Sequence, residues 1–340
     1  MPTSRQFSRL QLATLIGMAS VLCAWVLENF VGEHVGATAL LTYFPQYGFA
    51  LLPLVLSLVA LRKRSTALFA LNIFTLMLWA KLLLGFNIPT YILARNKSAP
   101  TVRVITYNIL RGERGIKNLS RTLKEQHPDI ICLQESQRSH PQSLGFPGDS
   151  LQGEFRGWNV ARAGDVMTLS RFPLLRWRSY PLRGTRHILE TIYSTPQGEL
   201  RVLNVHVSTS FRGQPYSSHG KWGRIRQIAR DAQPTAQVRL DQRPALQRAI
   251  AAGNPQTSLV MAGDFNTPPR GLFYRDLQAK FNDSWAQSGW GTGHTFPSRL
   301  PLLRIDYIFL RGAQAQRAFV PHSGASDHLP LVVDVALENP

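Results

Sequence analysis

Met261-Ala262-Gly263-Asp264-Phe265-Asn266-Thr267-Pro268 ends an apolar, strand-like run with an acid and an amide two residues apart. A later stretch, Ser326-Asp327-His328-Leu329-Pro330, sets an acid beside a histidine. On an extended segment residues i and i+2 project from one face, so Asp264 and Asn266 are expected to point together. Asp327 and His328, being adjacent, can divide a task, one side chain toward a metal and the other toward a reacting group. Such sets suit attack of water on phosphorus, which needs a base, a metal-bound carboxylate and a cationic or hydrogen-bonding clamp.

Outward from these stretches, residues 101–340 read as an α/β chain of many short strands. Strands are expected at 102–107, 129–134, 158–161, 166–170, 188–194, 200–207, 258–262, 305–310 and 331–335. Ile116, Leu119 and Leu123 fall at helical spacing within 115–126, ahead of His127-Pro128. Further helices fit 235–252 and 272–279. Many strands with interspersed helices suggest two sheets packed face to face with helices outside. There is no internal repeat or low-complexity tract.

The first part of the chain is different. Leu10 to Phe30, Leu40 to Leu61 and Thr66 to Phe86 are three apolar runs, each near the roughly 20 residues that a bilayer core requires. Glu28 lies near the end of the first run, and Pro45, Gln46 and Pro53 interrupt the second. In the third, Asn72 is expected to face another helix, and Lys81 to reach out toward the surface. No small-x-small cleavage pattern follows the first run, which argues against a removed signal peptide. Arg5 and Arg9 precede the first run and Arg62-Lys63-Arg64 separates the second from the third, whereas the loop after the first holds Glu33 and no Lys or Arg. The bias of positive charge toward the cytoplasm then puts the N-terminus inside and, after three crossings, the remainder outside. Arg95, Lys97 and Arg103 pull the other way. The expected domains are a transmembrane region at 1–94, a polar linker at 95–100 and a catalytic domain at 101–340.

The 340-residue chain has a formal net charge of +18 and a pI near 10.7. Beyond residue 97, thirty Lys and Arg face eighteen Asp and Glu. That excess favours an anionic partner, whether nucleic acid, phosphorylated metabolite or lipid headgroup. The two cysteines, Cys23 and Cys132, lie in separate apolar runs, which excludes a disulfide framework and a cysteine metal site. Three runs are too few for a transporter.

Polar residues recur at the ends of the expected strands: Asn108, Glu135, His206, Asp264 with Asn266, Asp306, and Asp327 with His328. Singly, each has an ordinary explanation, as a turn residue or a hydrogen-bonded core histidine. Chance accounts poorly for the whole set.

With these motifs in order, the chain over about 101–337 resembles the endonuclease/exonuclease/phosphatase superfamily. That group includes pancreatic-type DNases, AP endonucleases, inositol-phosphate phosphatases and neutral sphingomyelinases. Ser170-Arg171-Phe172-Pro173 matches the family's SRxP-type stretch. The resemblance implies a four-layer αββα sandwich with its site at one edge of the two sheets. It further implies Glu135 as the principal Mg²⁺ ligand (Mn²⁺ being an alternative ion), with Asn108 beside it and Asp327 as a second ligand. By the same resemblance Asp264 orients or deprotonates water, Asn266 holds a phosphate oxygen and His206 lies near the scissile phosphate. His328, oriented by Asp306, stabilises developing charge or protonates the leaving group. One departure stands out. Some AP endonucleases carry an acid two residues after the asparagine, where this chain has Leu110.

Between 208 and 250 lies a long basic segment. Trp222, Ile225 and Ile228 form an apolar stripe among Arg224, Arg226 and Arg230. It reads as a surface helix packed by that stripe, as an interfacial helix on anionic lipid, or as a phosphate-backbone contact. Arg224, Arg226 and Arg230 are the candidate substrate-binding residues. The expected function is a membrane-anchored, Mg²⁺-dependent phosphoesterase acting on a lipid or nucleic-acid phosphodiester or phosphomonoester. The competing expectation is an inactive membrane scaffold or nucleic-acid-binding module on the same fold. No protein partner is implied.

Overall fold

The computed structural model describes residues 8–89, 100–137, 147–208 and 231–338. The expected linker at 95–100, apart from Pro100, and the basic stripe around 221–230 lie outside them.

From residue 100 onward the chain builds two mixed six-stranded sheets, ordered β11-β12-β1-β2-β4-β3 and β5-β6-β7-β8-β10-β9. The first comprises β1 (Val102–Asn108), β2 (Ile130–Gln134), β3 (Asn159–Ala163), β4 (Val166–Ser170), β11 (Ala313–Phe319) and β12 (Leu331–Leu337). The second comprises β5 (Leu174–Pro181), β6 (His187–Thr195), β7 (Gly198–His206), β8 (Ser258–Asp264), β9 (Asn282–Asp283) and β10 (Asp306–Arg311). The β1–β2 and β7–β8 pairs are parallel and the rest antiparallel.

Period-two alternation sorts the side chains into layers. Val102, Val104, Ile130, Cys132, Leu200, Val202, Val260, Ala262, Ile308 and Leu310 meet between the sheets. On the other face of the first sheet, Ile105, Tyr107, Ile131 and Leu133 pack under α5 (Ile116–Lys124) and α6 (Pro147–Glu154). On the other face of the second, Leu203, Val205, Met261, Tyr307 and Phe309 pack under α8 (Arg243–Ala251) and α9 (Leu272–Gln278). Helix, sheet, sheet and helix follow in that order. Cys23 and Cys132 are free, the first exposed and the second buried.

Three local expectations need correction. The helix expected at 235–252 is two, α7 (described from 231 to 240) and α8, with a turn at 241–242. Pro244 in the first turn of α8 has no N–H to donate back to the preceding turn, so a continuous helix would lose a hydrogen bond there and a new helix starts instead. Strand β5 went unrecognised because most of its side chains face solvent, which leaves no hydrophobic alternation to read. Strand β11 buries only small residues, Ala313, Ala315 and Ala318, and a bulge between Ala315 and Arg317 breaks its period.

The apolar N-terminal part also departs from three uniform spans. α1 (Arg9–Val26) continues through a π-helical turn and a 3₁₀ turn as one helical run, Arg9–His34, which contains an 18-residue stretch of mean hydropathy 2.0. Among the described residues it alone is, unbroken, long and apolar enough to cross a membrane. The second run is broken. α2 (Gly36–Tyr43) and α3 (Gly48–Arg62) meet at 66°, with Phe44 extended ahead of Pro45. α4 (Thr66–Leu82) has 17 residues. The buried Asn72 donates to Thr14 Oγ1 at 3.0 Å, joining α4 to α1. Trp79, near the end of α4, donates to Gln46 O just ahead of α3. α3 therefore runs against α1 and α4, and Arg9 and Arg62-Lys63-Arg64 fall at the end of the bundle away from the sheets.

Candidate active site

The alternation that fills the inter-sheet layer with apolar side chains continues to the strand ends, where the residue types change. On the face of Val102 and Val104 come Thr106 and Asn108; after Ile130 and Cys132 comes Gln134; after Leu200 and Val202 come Asn204 and His206. Val260 and Ala262 are followed by Asp264, and Asp306 precedes Ile308. Register sets His206 opposite Asp264 and Asp264 opposite Asp306 on three adjacent strands. Gly263 makes this possible, because a Cβ there would lie 1.8 Å from Val205 O.

The outermost polar level is tightly joined. Asn108 Nδ2 donates to Asp264 Oδ2 at 3.0 Å. The same oxygen lies 3.6 Å from His206 Nε2 and 3.9 Å from His328 Nε2. His328 Nδ1 is 2.9 Å from Asp306 Oδ2. Asp264, Asp306 and His328 thus form one buried cluster whose ligating atoms all lie within 4.8 Å of one another. A second level supports it from below. Gln134 Nε2 donates to Asn204 Oδ1 at 2.8 Å, and Asn204 Nδ2 donates to Met167 O at 2.9 Å and Leu133 O at 3.1 Å.

Asn266 is not placed as an extended strand would place it. β8 ends at Asp264, and Asn266 has a φ of +51°. The pair is linked instead by the Asn266 N–H, which donates to Asp264 Oδ1 at 2.9 Å, while Asn266 Nδ2 donates to Val207 O at 3.0 Å. Glu135 leaves β2 with a φ of +54°. Positive φ in a residue with a side chain costs on the order of 1–3 kcal/mol and tends to concentrate at functional sites. Asp327 stays at the rim, tied through Oδ1 to the Ser326 hydroxyl at 3.2 Å. Ser326 Oγ also donates to Asn108 O at 2.7 Å, which fixes the Asp327–His328 stretch to the end of β1.

Two residues escaped the sequence reading. Asp165 Oδ2 lies 2.8 Å from His206 Nδ1 and 2.7 Å from Arg186 Nη1, and Arg186 Nη2 is 3.3 Å from Glu135 Oε1. Asp165 follows Gly164 in a hairpin turn and Arg186 follows Gly184-Thr185, so both look like ordinary turn residues in sequence. Only the pairing of β2 with β4 brings Asp165 beside Glu135. Arg224, Arg226 and Arg230 lie outside the described residues. Leu110 opens a 3₁₀ turn and donates its N–H to Asn108 Oδ1 at 3.1 Å.

Burial and charge set the ionisation. Burial, then the neighbouring Asp306 charge, raise the pKa of Asp264 against the lowering influence of His328, His206 and Asn108. Burial alone would lower that of His328, but the charge and hydrogen bond of Asp306, with Asp264 and Asp327, push it up to about 10. His328 is therefore an imidazolium between carboxylates. For Glu135, burial is overcome by His206, Arg186 and Arg111, which hold its carboxyl below the usual range. The ionised Glu135 carboxylate and the Asn108 amide oxygen form an all-oxygen donor pair that fits a hard dication keeping its own waters. The Asp264–Asp306–His328 cluster mixes an imidazole nitrogen with its carboxylates, a donor set less suited to a hard, oxygen-seeking ion.

Residues 105–328 match the Endonuclease/Exonuclease/phosphatase family. The chain belongs to that family. An endonuclease/exonuclease/phosphatase from Beutenbergia cavernae shares its fold with a TM-score of 0.53 and 19% identity, over 70% of this chain and 72% of that one. A functionally unknown conserved protein from Enterococcus faecalis gives 0.53 at 18% identity, over 70% and 100%. TDP2 of D. rerio, solved with a single-strand DNA product, gives 0.52 at 16% identity, over 69% and 98%. In this family setting the polar strand ends form the candidate catalytic centre, on a fold that members use for phosphoester hydrolysis.

Proposed function

We propose that this protein is a membrane-anchored, Mg²⁺-dependent phosphoesterase that hydrolyses a phosphodiester or phosphomonoester by attack of water. The observation that carries this reading is the convergence of Asn108, His206, Asp264, Asp306 and His328 at one end of the inter-sheet layer, with Glu135 next to them. Glu135 and Asn108 would hold the ion, with Asp327 as a further ligand. When bound, Mg²⁺ supplies Lewis-acid polarisation of the phosphoryl oxygen. Asp264, its proton affinity raised by burial, orients and deprotonates the attacking water. Asn266 uses one amide hydrogen on Val207 O and offers the other to a phosphate oxygen. His328, held by Asp306, presents its Nε2–H to the charge that develops on the phosphoryl or leaving oxygen. His206, fixed by Asp165, lies beside the same position.

The anchor is the apolar bundle, with α1, the broken α2–α3 pair and α4 as three crossings at 1–94. Arg9 and Arg62-Lys63-Arg64 lie at the end remote from the sheets, which supports a cytoplasmic N-terminus and a catalytic domain, 101–340, outside. The strand-end loops contact the near end of the bundle, which favours a phosphate ester presented at the membrane, a lipid headgroup before nucleic acid. The test is turnover by the detergent-purified full chain against phospholipids, inositol phosphates, DNA and RNA, with Mg²⁺ and then with excess EDTA. Hydrolysis that stops with EDTA is expected. Undiminished turnover in EDTA would contradict metal dependence, and binding without turnover of any substrate would favour the scaffold alternative.

A further inference from the structure

The loop that follows Asp264 carries the proposed base and phosphate-binding residue at one end and Arg270 at the other. The Arg270 side chain, 10% exposed, reaches in among residues of the apolar bundle. Its Nε lies 3.2 Å from Glu28 Oε2, its Nη1 donates to Leu83 O at 2.5 Å and its Nη2 to Thr42 O at 3.0 Å. One side chain thereby ties together the helical run containing Glu28, the end of α2 and the end of α4.

A second assembly grips the same loop. Glu33, 2% exposed, accepts the Leu272 N–H at 2.6 Å, so a residue of the apolar part caps α9 at the foot of the loop. The Tyr43 hydroxyl donates to Glu33 and lies 3.3 Å from Thr267 Oγ1, one residue from Asn266. Arg239 of α7 stacks 4.2 Å over the Tyr43 ring with its Nη2 3.7 Å from Glu33 Oε1. Gly271 is required here, because a Cβ would lie 2.1 Å from Thr267 Oγ1 and 3.3 Å from Glu33 Oε2. Arg275 completes the contact by donating to Asn29 O.

Acids inside an apolar bundle are costly unless paired. A simple anchor needs neither Glu28 nor Glu33, and both are paired onto the loop or onto the helices that flank it. We propose that Arg270, with Glu28 and Glu33, is a positioning residue for the proposed hydrolysis. Its hold on the bundle fixes the loop 264–272, and with it Asp264 and Asn266, in the reactive arrangement. The apolar helices are then part of the catalytic apparatus as well as an anchor. Displacement of a reacting group by about 1 Å from a distant change can cost on the order of 10² in rate, which makes such a hold consequential.

This inference rests on the hydrolytic reading of the Asp264 site, so its test has one arm that measures turnover and one that does not. The full chain in detergent micelles with Mg²⁺ is assayed on bis(p-nitrophenyl) phosphate, and hydrogen–deuterium exchange is followed over 264–272. Arg270→Gln is expected to lower kcat by about tenfold or more with KM changed less than about threefold, and to speed exchange across the loop. Arg270→Lys keeps the charge but reaches fewer partners, and should recover part of both. Tyr43→Phe removes only a hydroxyl and should produce a smaller effect of the same kind, which keeps the proposal testable if Arg270→Gln does not fold. Arg243→Gln, at an exposed ion pair with Asp276, is the unaffected control. A lowered melting temperature with kcat unchanged in Arg270→Gln and Tyr43→Phe would overturn the proposal, because the contacts would then be structural only. If the wild-type chain does not turn over this ester, the hydrolytic reading on this probe is what fails. Unchanged exchange in Arg270→Gln would still overturn the hold.

Discussion

The polar end of the inter-sheet layer and the polar junction between the bundle and the 264–272 loop are both buried, charged and hydrogen-bonded, yet they are assembled by opposite means. In the first, strands lie side by side and a period of two brings Asn108, His206, Asp264 and Asp306 to one face at one end. The contacts follow from the strands themselves. In the second, Glu28 meets Arg270 and Glu33 meets Arg239 across more than 200 residues of chain, with no shared element to bring them together. A site built on sheet alternation leaves a trace in each strand, whereas a junction between two bodies leaves none in either.

The largest expected effect would break the first region. Added Mg²⁺ is expected to raise the melting temperature of the wild-type chain, and Glu135→Ala should abolish both that rise and turnover. A persistent Mg²⁺-dependent rise in that variant would move the metal elsewhere. Next, His328→Ala should lower kcat by on the order of 10² or more, as for a group stabilising developing charge, and a kcat near wild type would remove it from the mechanism.

The sequence made the first region readable for a chemical reason. A carboxylate, amide or imidazole that ends an apolar alternating run is conspicuous, and eight such residues in order pointed to a single family. Asp165 and Arg186 were hidden because each sits after a glycine in a turn, where a polar residue needs no further explanation. Arg239 counted toward a basic surface although it is buried on Glu33. Glu28 passed for the end of a membrane run and Glu33 for a loop residue between two runs, since the identity of a partner in another body is invisible to local pattern. The break at Phe44-Pro45 was legible as a weakness in the second run, but its 66° angle depends on packing.

Two smaller predictions sharpen the junction. Asn87, beyond α4, donates its side-chain amide to Trp285 O and Gly289 O, both at 2.8 Å, and pairs its backbone with Gly291. Asn87→Ala should cost about 1–3 kcal/mol in the full chain by stranding buried carbonyls, read as a fall in thermal or denaturant midpoint with kcat little changed. His294 lies against Tyr47, and burial lowers its pKa to about 4 from 6.5. Because the folded value is the lower one, the unfolded chain takes up the proton first as pH falls below 6.5. Stability should therefore decline between pH 6.5 and about 4, by at most about 3 kcal/mol, and be insensitive to this residue above 6.5. Melting curves of wild type and His294→Gln should diverge over that window. Parallel curves would show that His294 does not report on the junction.

The proposed hydrolysis of phosphate esters at the end of the inter-sheet layer depends on Asp264. Its most direct test is kcat of the full chain, with Mg²⁺, on a substrate that the wild-type protein turns over, comparing wild type with Asp264→Asn. The substitution keeps size and removes only the base, so kcat should fall by on the order of 10² or more while the melting temperature and circular dichroism stay near wild type. An Asp264→Asn protein that folds and keeps kcat within about twofold of wild type, well short of the 10²–10⁴ contributed by a positioned base, would contradict the account.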